Sequence, residues 1–266
     1  MALTNSGPAW LFCPADRPER FEKAAAAADV VILDLEDGAG DKPAAREALL
    51  STRLDPARTV IRINAGDSPE QKLDLEVLAK TDYRCVMLPK CESADQVTAL
   101  APLDVVLIVE TPLGALKVDE TAAAPNTWGV MWGAEDLFGF LGGTSNRFPD
   151  DSYRDVAKYV RSRSLLAAKA YGRQALDSVY IDIRNLDGLR VEVDDAVAVG
   201  FDIKVAIHPS QIAVIRDGYA PSAEQVEWAR HVLAAAKDQP GAFAHEGIMV
   251  DAPVLRRAER IVQLAP

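Results

Sequence analysis

Eight short apolar runs recur along the chain, each followed by a longer stretch of helical periodicity, and this alternation limits the fold more than any other feature. The runs cover residues 10–13, 30–35, 59–63, 85–88, 105–109, 129–132, 179–183 and 204–207. Near-continuous apolar segments of this length suit parallel strands buried on both faces. Residues 17–28, 69–79, 93–100 and 153–171 carry helical patterns between them; in the last, Tyr153, Val156, Ala157, Val160, Ser164, Ala167 and Ala168 share a face. Eight units in 266 residues is about 33 residues each, the size of a βα repeat. An open doubly wound sheet that binds a dinucleotide needs a glycine-rich turn after its first strand. That place holds Cys13-Pro14-Ala15-Asp16-Arg17-Pro18, without glycine. The pattern therefore predicts an α/β fold, a (β/α)8 TIM barrel over residues 1–237 ending in a helix at 222–237. Residues 238–266 are surplus to the barrel but carry Phe243, Ile248, Met249 and Val250, so they are expected to pack on it or on a neighbouring subunit.

Composition narrows the function. Forty acidic against twenty-nine basic residues give a net charge of −11, which disfavours nucleic acid as a partner because phosphate backbones require a basic surface. Cys13, Cys85 and Cys91 are odd in number and form no CxxC pair, so they read as reduced thiols of a cytoplasmic protein. The N-terminal stretch lacks a signal-peptide pattern, and no apolar run approaches the roughly 20 residues that span a bilayer, so no membrane association is expected.

In a barrel, chemistry sits just past the C-terminal ends of the strands. There the second strand offers Asp34-Leu35-Glu36-Asp37, the third Arg62, the fourth Pro89-Lys90, the fifth Glu110 and the sixth Glu135-Asp136. Several carboxylates meeting at one mouth repel each other unless a cation joins them. An oxygen-only set without paired Cys or His favours a hard ion, Mg2+ or Mn2+. Glu110 and Asp136 are the expected direct ligands, with Glu36 and Asp37 holding metal-bound water. The plainer alternative is that these acids cap the helices that follow them. Arg62, inside an apolar strand, needs a partner: a salt bridge to those acids, a bidentate grip on a substrate carboxylate, or both. Arg17, Arg20 and Lys23 after the first strand form either a solvated face or a patch for a phosphorylated carrier such as coenzyme A. His208 before Pro209 reads as a structural turn residue.

The segments LFCPADRPERF, VVILDLEDG, VIRIN, VMLPK, IVETPLG, WGAEDL and IHPSQI, in that order over about residues 10–255, resemble the citrate lyase β-subunit-like proteins of the HpcH/HpaI aldolase/citrate lyase superfamily. That group includes malyl-CoA and citramalyl-CoA lyases. The resemblance implies a usually trimeric barrel that binds Mg2+ and a CoA thioester and makes or breaks a C–C bond beside the thioester carbonyl. It matches the metal ligands to Glu110 and Asp136, the water-mediated shell to Glu36 and Asp37, and the keto-acid arginine to Arg62. It assigns CoA contacts to Phe12, Arg17 and Lys23, and matches Asp251 to an acid that reaches a neighbouring subunit's site. The implied activity is a carbon–carbon lyase acting on citramalyl-, malyl- or hydroxymethylglutaryl-CoA. The alternatives are a citrate-lyase-type β subunit using an acyl-carrier thioester, and a metal-dependent aldolase acting on a free hydroxy-keto acid.

Overall fold

The computed structural model describes residues 3, 7–66, 68–237, 239 and 241–265. The chain divides into two compact units, Met1–Ile215 and Arg216–Pro266. In the first, eight parallel strands close into a barrel in sequence order: β1 (Ala9–Pro14), β2 (Val30–Asp34), β3 (Thr59–Arg62), β4 (Cys85–Leu88), β5 (Asp104–Val109), β6 (Thr127–Trp132), β7 (Gln174–Asp177) and β8 (Ile203–Ala206). Alternate residues point inward, and Trp10, Ile32, Val60, Met87, Ile108, Met131, Leu176 and Val205 fill the interior as one apolar core. The same parity, carried to the C-terminal rim, aims Asp34 two residues past Ile32, Arg62 past Val60 and Glu110 past Ile108 toward the barrel axis.

Helices α1 (Phe21–Ala27), α2 (Lys42–Ser51), α3 (Pro69–Leu78), α4 (Ala94–Thr98), α5 (Pro112–Ala123), α6 (Ala134–Leu141), α7 (Asp155–Ala170) and α8 (Leu186–Val199) follow the strands. Their starts are set by local chemistry. Asp41, Ser68, Ser93, Thr111 and Asn185 cap α2, α3, α4, α5 and α8 with side-chain oxygens.

The seventh strand departs from expectation. Residues 179–183, which alternate like a strand, form no strand, and β7 lies just before them at Gln174–Asp177. Hydropathy conceals β7 because its outward residue Asp177 is polar yet fully satisfied. Asp177 accepts from Trp132 Nε1 at 2.7 Å and Arg161 Nε at 2.9 Å, and Lys204 Nζ lies 2.9 Å away. Lys204, on β8, is wholly buried and also pairs with Glu192 on α8 at 2.9 Å.

After α9 (Gln211–Tyr219), the second unit holds α10 (Ala223–Ala235), a hairpin of β9 (Phe243–His245) and β10 (Ile248–Val250), and α11 (Ala252–Leu264). The hairpin turns on Glu246 and Gly247, both at positive φ, the two-residue geometry that matches strand twist. α10 groups with β9, β10 and α11 in this unit, which begins at Arg216. The reason is packing: Ala229 and Val232 of α10 are buried against Val250 and Ala258.

Candidate active site

The acids singled out in the sequence meet at the rim of the barrel. Glu36, in the loop after β2, is buried and touches both cations of the site. Lys90 Nζ bonds one of its oxygens, and Arg62 Nη1 lies 3.1 Å from the other as a charge contact without an aligned hydrogen bond. Lys90 also reaches Asp37 at 3.2 Å and Asp136 at 3.7 Å. Glu110, just past β5, is buried and accepts the backbone N–H of Lys90 at 2.9 Å. Asp37 and Asp136 remain partly open to solvent.

Side-chain N-capping does not account for Glu110, although Asp136 stands in the first turn of α6, where a carboxylate favours the helix dipole. α5 is capped by Thr111 and not by Glu110, and α6, which contains Asp136, has no side-chain cap at all. Burial, reinforced by the charge of Asp136, pushes the Glu110 carboxyl up to about 8, although Lys90 and Arg62 oppose the shift. Asp37 shows the converse: burial would raise it, but Lys90 and Arg62 draw it below the ordinary carboxylate range. Among the described residues no group of three or more His, Cys, Asp or Glu side chains could hold a metal ion unaided. Two carboxylates, Glu110 and Asp136, fit a hard divalent ion that keeps its remaining positions for water and a chelating ligand.

Of its two predicted roles, Arg62 displays the salt bridge to acids of the rim. Its Nε and Nη2 donate to Asp34 at 2.7 and 2.6 Å, so the bidentate edge is occupied by a residue to which the sequence had given no role. Asp34 and Arg62 are register partners on β2 and β3, which makes the pair a direct product of strand alignment. Asp34 also accepts from the backbone of Glu36 and Gly38, both at 2.9 Å, and so shapes the loop that carries Glu36. Only the Nη1 side of Arg62 faces the other acids. Its guanidinium lies 4.7 Å over the Phe12 ring on β1. Burial opposes charging of Arg62, but Asp34 and Glu36 more than compensate and keep it protonated.

Lys90 is the other residue whose role was missed: its place at the end of β4 was legible, its contact with three acids was not. Arg17 is exposed beside Asp16 at 3.8 Å, and Lys23 is exposed on α1. Asp251 lies in the second unit, where it caps α11 by accepting from Val254 N at 3.4 Å. His208 bonds Ser210 Oγ at 2.8 Å, as a turn residue does. The three cysteines are buried and unbridged. No helix among the described residues is long and apolar enough to cross a membrane.

A closed (β/α)8 barrel with a carboxylate-rich rim braced by one arginine and one lysine places the chain in the class of (β/α)8 barrel proteins. Residues 9–209 match the HpcH/HpaI aldolase/citrate lyase family, and the chain belongs to that family. It is 61% identical over 267 residues to a citrate lyase subunit beta-like protein of Mycobacterium tuberculosis, covering 100% of this chain and 98% of the relative. It is 32% identical over 291 residues to the mitochondrial citramalyl-CoA lyase of Homo sapiens, covering 96% and 84%. The crystal structure of the Mycobacterium tuberculosis protein CitE in complex with magnesium, acetoacetate and coenzyme A superimposes with a TM-score of 0.94 at 62% identity, covering 98% of each chain.

Proposed function

We propose that this chain is a Mg2+-dependent carbon–carbon lyase that cleaves, or in reverse forms, a β-hydroxyacyl-CoA such as citramalyl-, malyl- or hydroxymethylglutaryl-CoA, yielding a keto acid and an acyl-CoA. The observation that carries the reading is the meeting of Glu36, Asp37, Glu110 and Asp136 around Lys90 at the rim of the barrel. The magnesium, acetoacetate and coenzyme A held by the CitE relative support it.

Glu110 and Asp136 would hold the ion, while Glu36 and Asp37 order the water around it. Bound there, Mg2+ supplies a Lewis acid that polarises the substrate's carbonyl or hydroxyl oxygen. The Nη1 side of Arg62 neutralises the keto-acid carboxylate, and Asp34 holds that guanidinium at a fixed angle. Phe12, Arg17 and Lys23 receive the CoA portion. In cleavage the hydroxyl proton leaves to a base, the C–C bonding pair passes to the carbon beside the thioester, and Asp251 of a neighbouring subunit protonates that carbon. In condensation the same carboxylate removes the proton. Leu116 of α5, Phe140 of α6 and Leu166 of α7 are exposed apolar residues on neighbouring helices, in keeping with a homotrimer. Three buried free thiols accord with a reducing cytoplasm.

The deciding experiment incubates pure protein and Mg2+ with a panel of β-hydroxyacyl-CoAs and assays released pyruvate, glyoxylate, acetoacetate and oxaloacetate. Release from one ester, abolished by chelator, is expected. Cleavage of free hydroxy-keto acids alone would favour an aldolase, and activity only on an acyl-carrier thioester would favour a citrate-lyase subunit.

Two experiments probe the assembly of the site. A Cβ at Gly133 would sit 2.7 Å from Glu110 Oε2 and 2.9 Å from Glu110 Cβ, while the φ of −120° suits any residue. Gly133→Ala should therefore displace Glu110 without backbone strain and lower turnover roughly 100-fold, measured as kcat/KM. Mixing Asp251→Ala chains with Arg62→Ala chains should restore activity, because some sites then combine an intact barrel with an intact Asp251. Mixed oligomers verified by mass that stay inactive would remove Asp251 from a neighbour's site.

A further inference from the structure

Lys90 occupies a place where a lysine is conformationally awkward. Its φ is +51°, in the left-handed region that favours glycine and asparagine. The residue retained there contacts Glu36, Asp37, Glu110 and Asp136. Its backbone N–H donates to Glu110 Oε1 at 2.9 Å, and its ammonium bonds Glu36 and lies 3.2 Å from Asp37 and 3.7 Å from Asp136. Arg62 cannot replace it, because its forked edge is held by Asp34.

We propose that Lys90 is a positioning residue that stands in for the metal: its ammonium gathers Glu36, Asp37 and Asp136 when no ion is bound, and it competes with the incoming dication for them. This inference rests on the metal site at Glu110 and Asp136. A monovalent charge fixed beside an acid that must accept a divalent ion weakens that ion's binding through simple Coulomb repulsion. Lys90 therefore prevents the acids from repelling one another apart, and it keeps metal affinity low until a substrate carboxylate arrives to share the positive charge.

The test is a calorimetric titration of Mg2+ into the full chain without substrate at pH 8.5, for wild type, Lys90→Met and Lys90→Arg. Mn2+ followed by its paramagnetic resonance serves as the second probe. Removing the ammonium should tighten binding by about ten-fold or more, while the charge-keeping arginine should stay within about two-fold of wild type. A lysine that only braced the loop would give the opposite sign, since its loss would loosen the site and weaken binding. Equal or weaker binding by Lys90→Met, with wild type binding normally, overturns the role of Lys90 alone. Absence of binding by both wild type and Lys90→Met overturns the metal site and this inference together. Should Lys90→Met fail to fold, Lys90→Gln, neutral and able to hydrogen-bond, carries the same expectation.

Discussion

Glu110→Gln should abolish metal-dependent turnover, a loss of at least about 1,000-fold, because a Lewis acid contributes several kcal/mol and a glutamine amide cannot replace the carboxylate that holds it. The fold should survive and, without metal, gain. Burial and Asp136 raise the Glu110 carboxyl from an ordinary 4.5 to about 8. Folded protein therefore keeps a proton that unfolded protein has already lost. The stability Glu110 contributes is full below about pH 4.5 and is lost as pH rises through about 8. Glutamine has no such loss. In chelator, the Glu110→Gln protein should melt at the wild-type temperature near pH 4.5 and above it at pH 9. Saturating Mg2+ should raise the melting temperature of wild type and leave that of the variant unmoved. A variant that melts lower at pH 9, or that still gains from Mg2+, contradicts this account of Glu110.

The second large effect lies away from the rim. Asp177→Ala should destabilise the barrel by about 3–5 kcal/mol, because it strips Lys204 of its more deeply buried carboxylate partner while the ammonium stays buried. For a protein of this size that corresponds to a fall in melting temperature on the order of 10 °C. Glu192 alone, 2.9 Å from Lys204, is left to compensate. The pH dependence has the opposite sense to that of Glu110. Burial would raise the Asp177 carboxyl, but Lys204 and Arg161 overcome it and hold it at about 2, below the ordinary 3.8. Its contribution is therefore present above about pH 3.8 and disappears as pH falls through about 2. Asp177→Ala should accordingly lack the acid-induced loss that wild type shows in that window. The double variant Asp177→Ala/Lys204→Met should recover part of the stability, since it removes the stranded charge. A single variant that melts like wild type would mean that Glu192 suffices for Lys204.

How much of this was legible before the structure depends on which face of a strand a residue occupies. Inward-facing runs such as Val30–Asp34 and Asp104–Val109 are buried on both sides and stand out as apolar blocks, so the barrel and its rim acids follow from hydropathy. β7 does not, because Gln174 and Asp177 are polar, and Asp177 is satisfied by Trp132, Arg161 and Lys204, contacts that exist only after α7 and β8 have packed. Arg62 announced itself as a cation in an apolar strand. Its partner was recoverable too, since Asp34 lies in step with Val30 and Ile32 and so points inward, but the acids after it drew the reading away. Lys90 had no such signal: its left-handed backbone and its reach to the loop after β2 and to the first turn of α6 are properties of the folded chain. The place of α10 in the second compact unit is likewise beyond the reach of hydropathy. The apolar face of α10 is visible in sequence, whereas its choice of Val250 and Ala258 as partners is not.

The most direct test of the metal-centred reading is a crystal grown with Mn2+ in place of Mg2+ and soaked with pyruvate. An anomalous peak within about 2.2 Å of a carboxylate oxygen from both Glu110 and Asp136, with pyruvate oxygens completing the sphere, is the predicted result. No peak, or one held by other residues while those two carboxylates point apart, would contradict it.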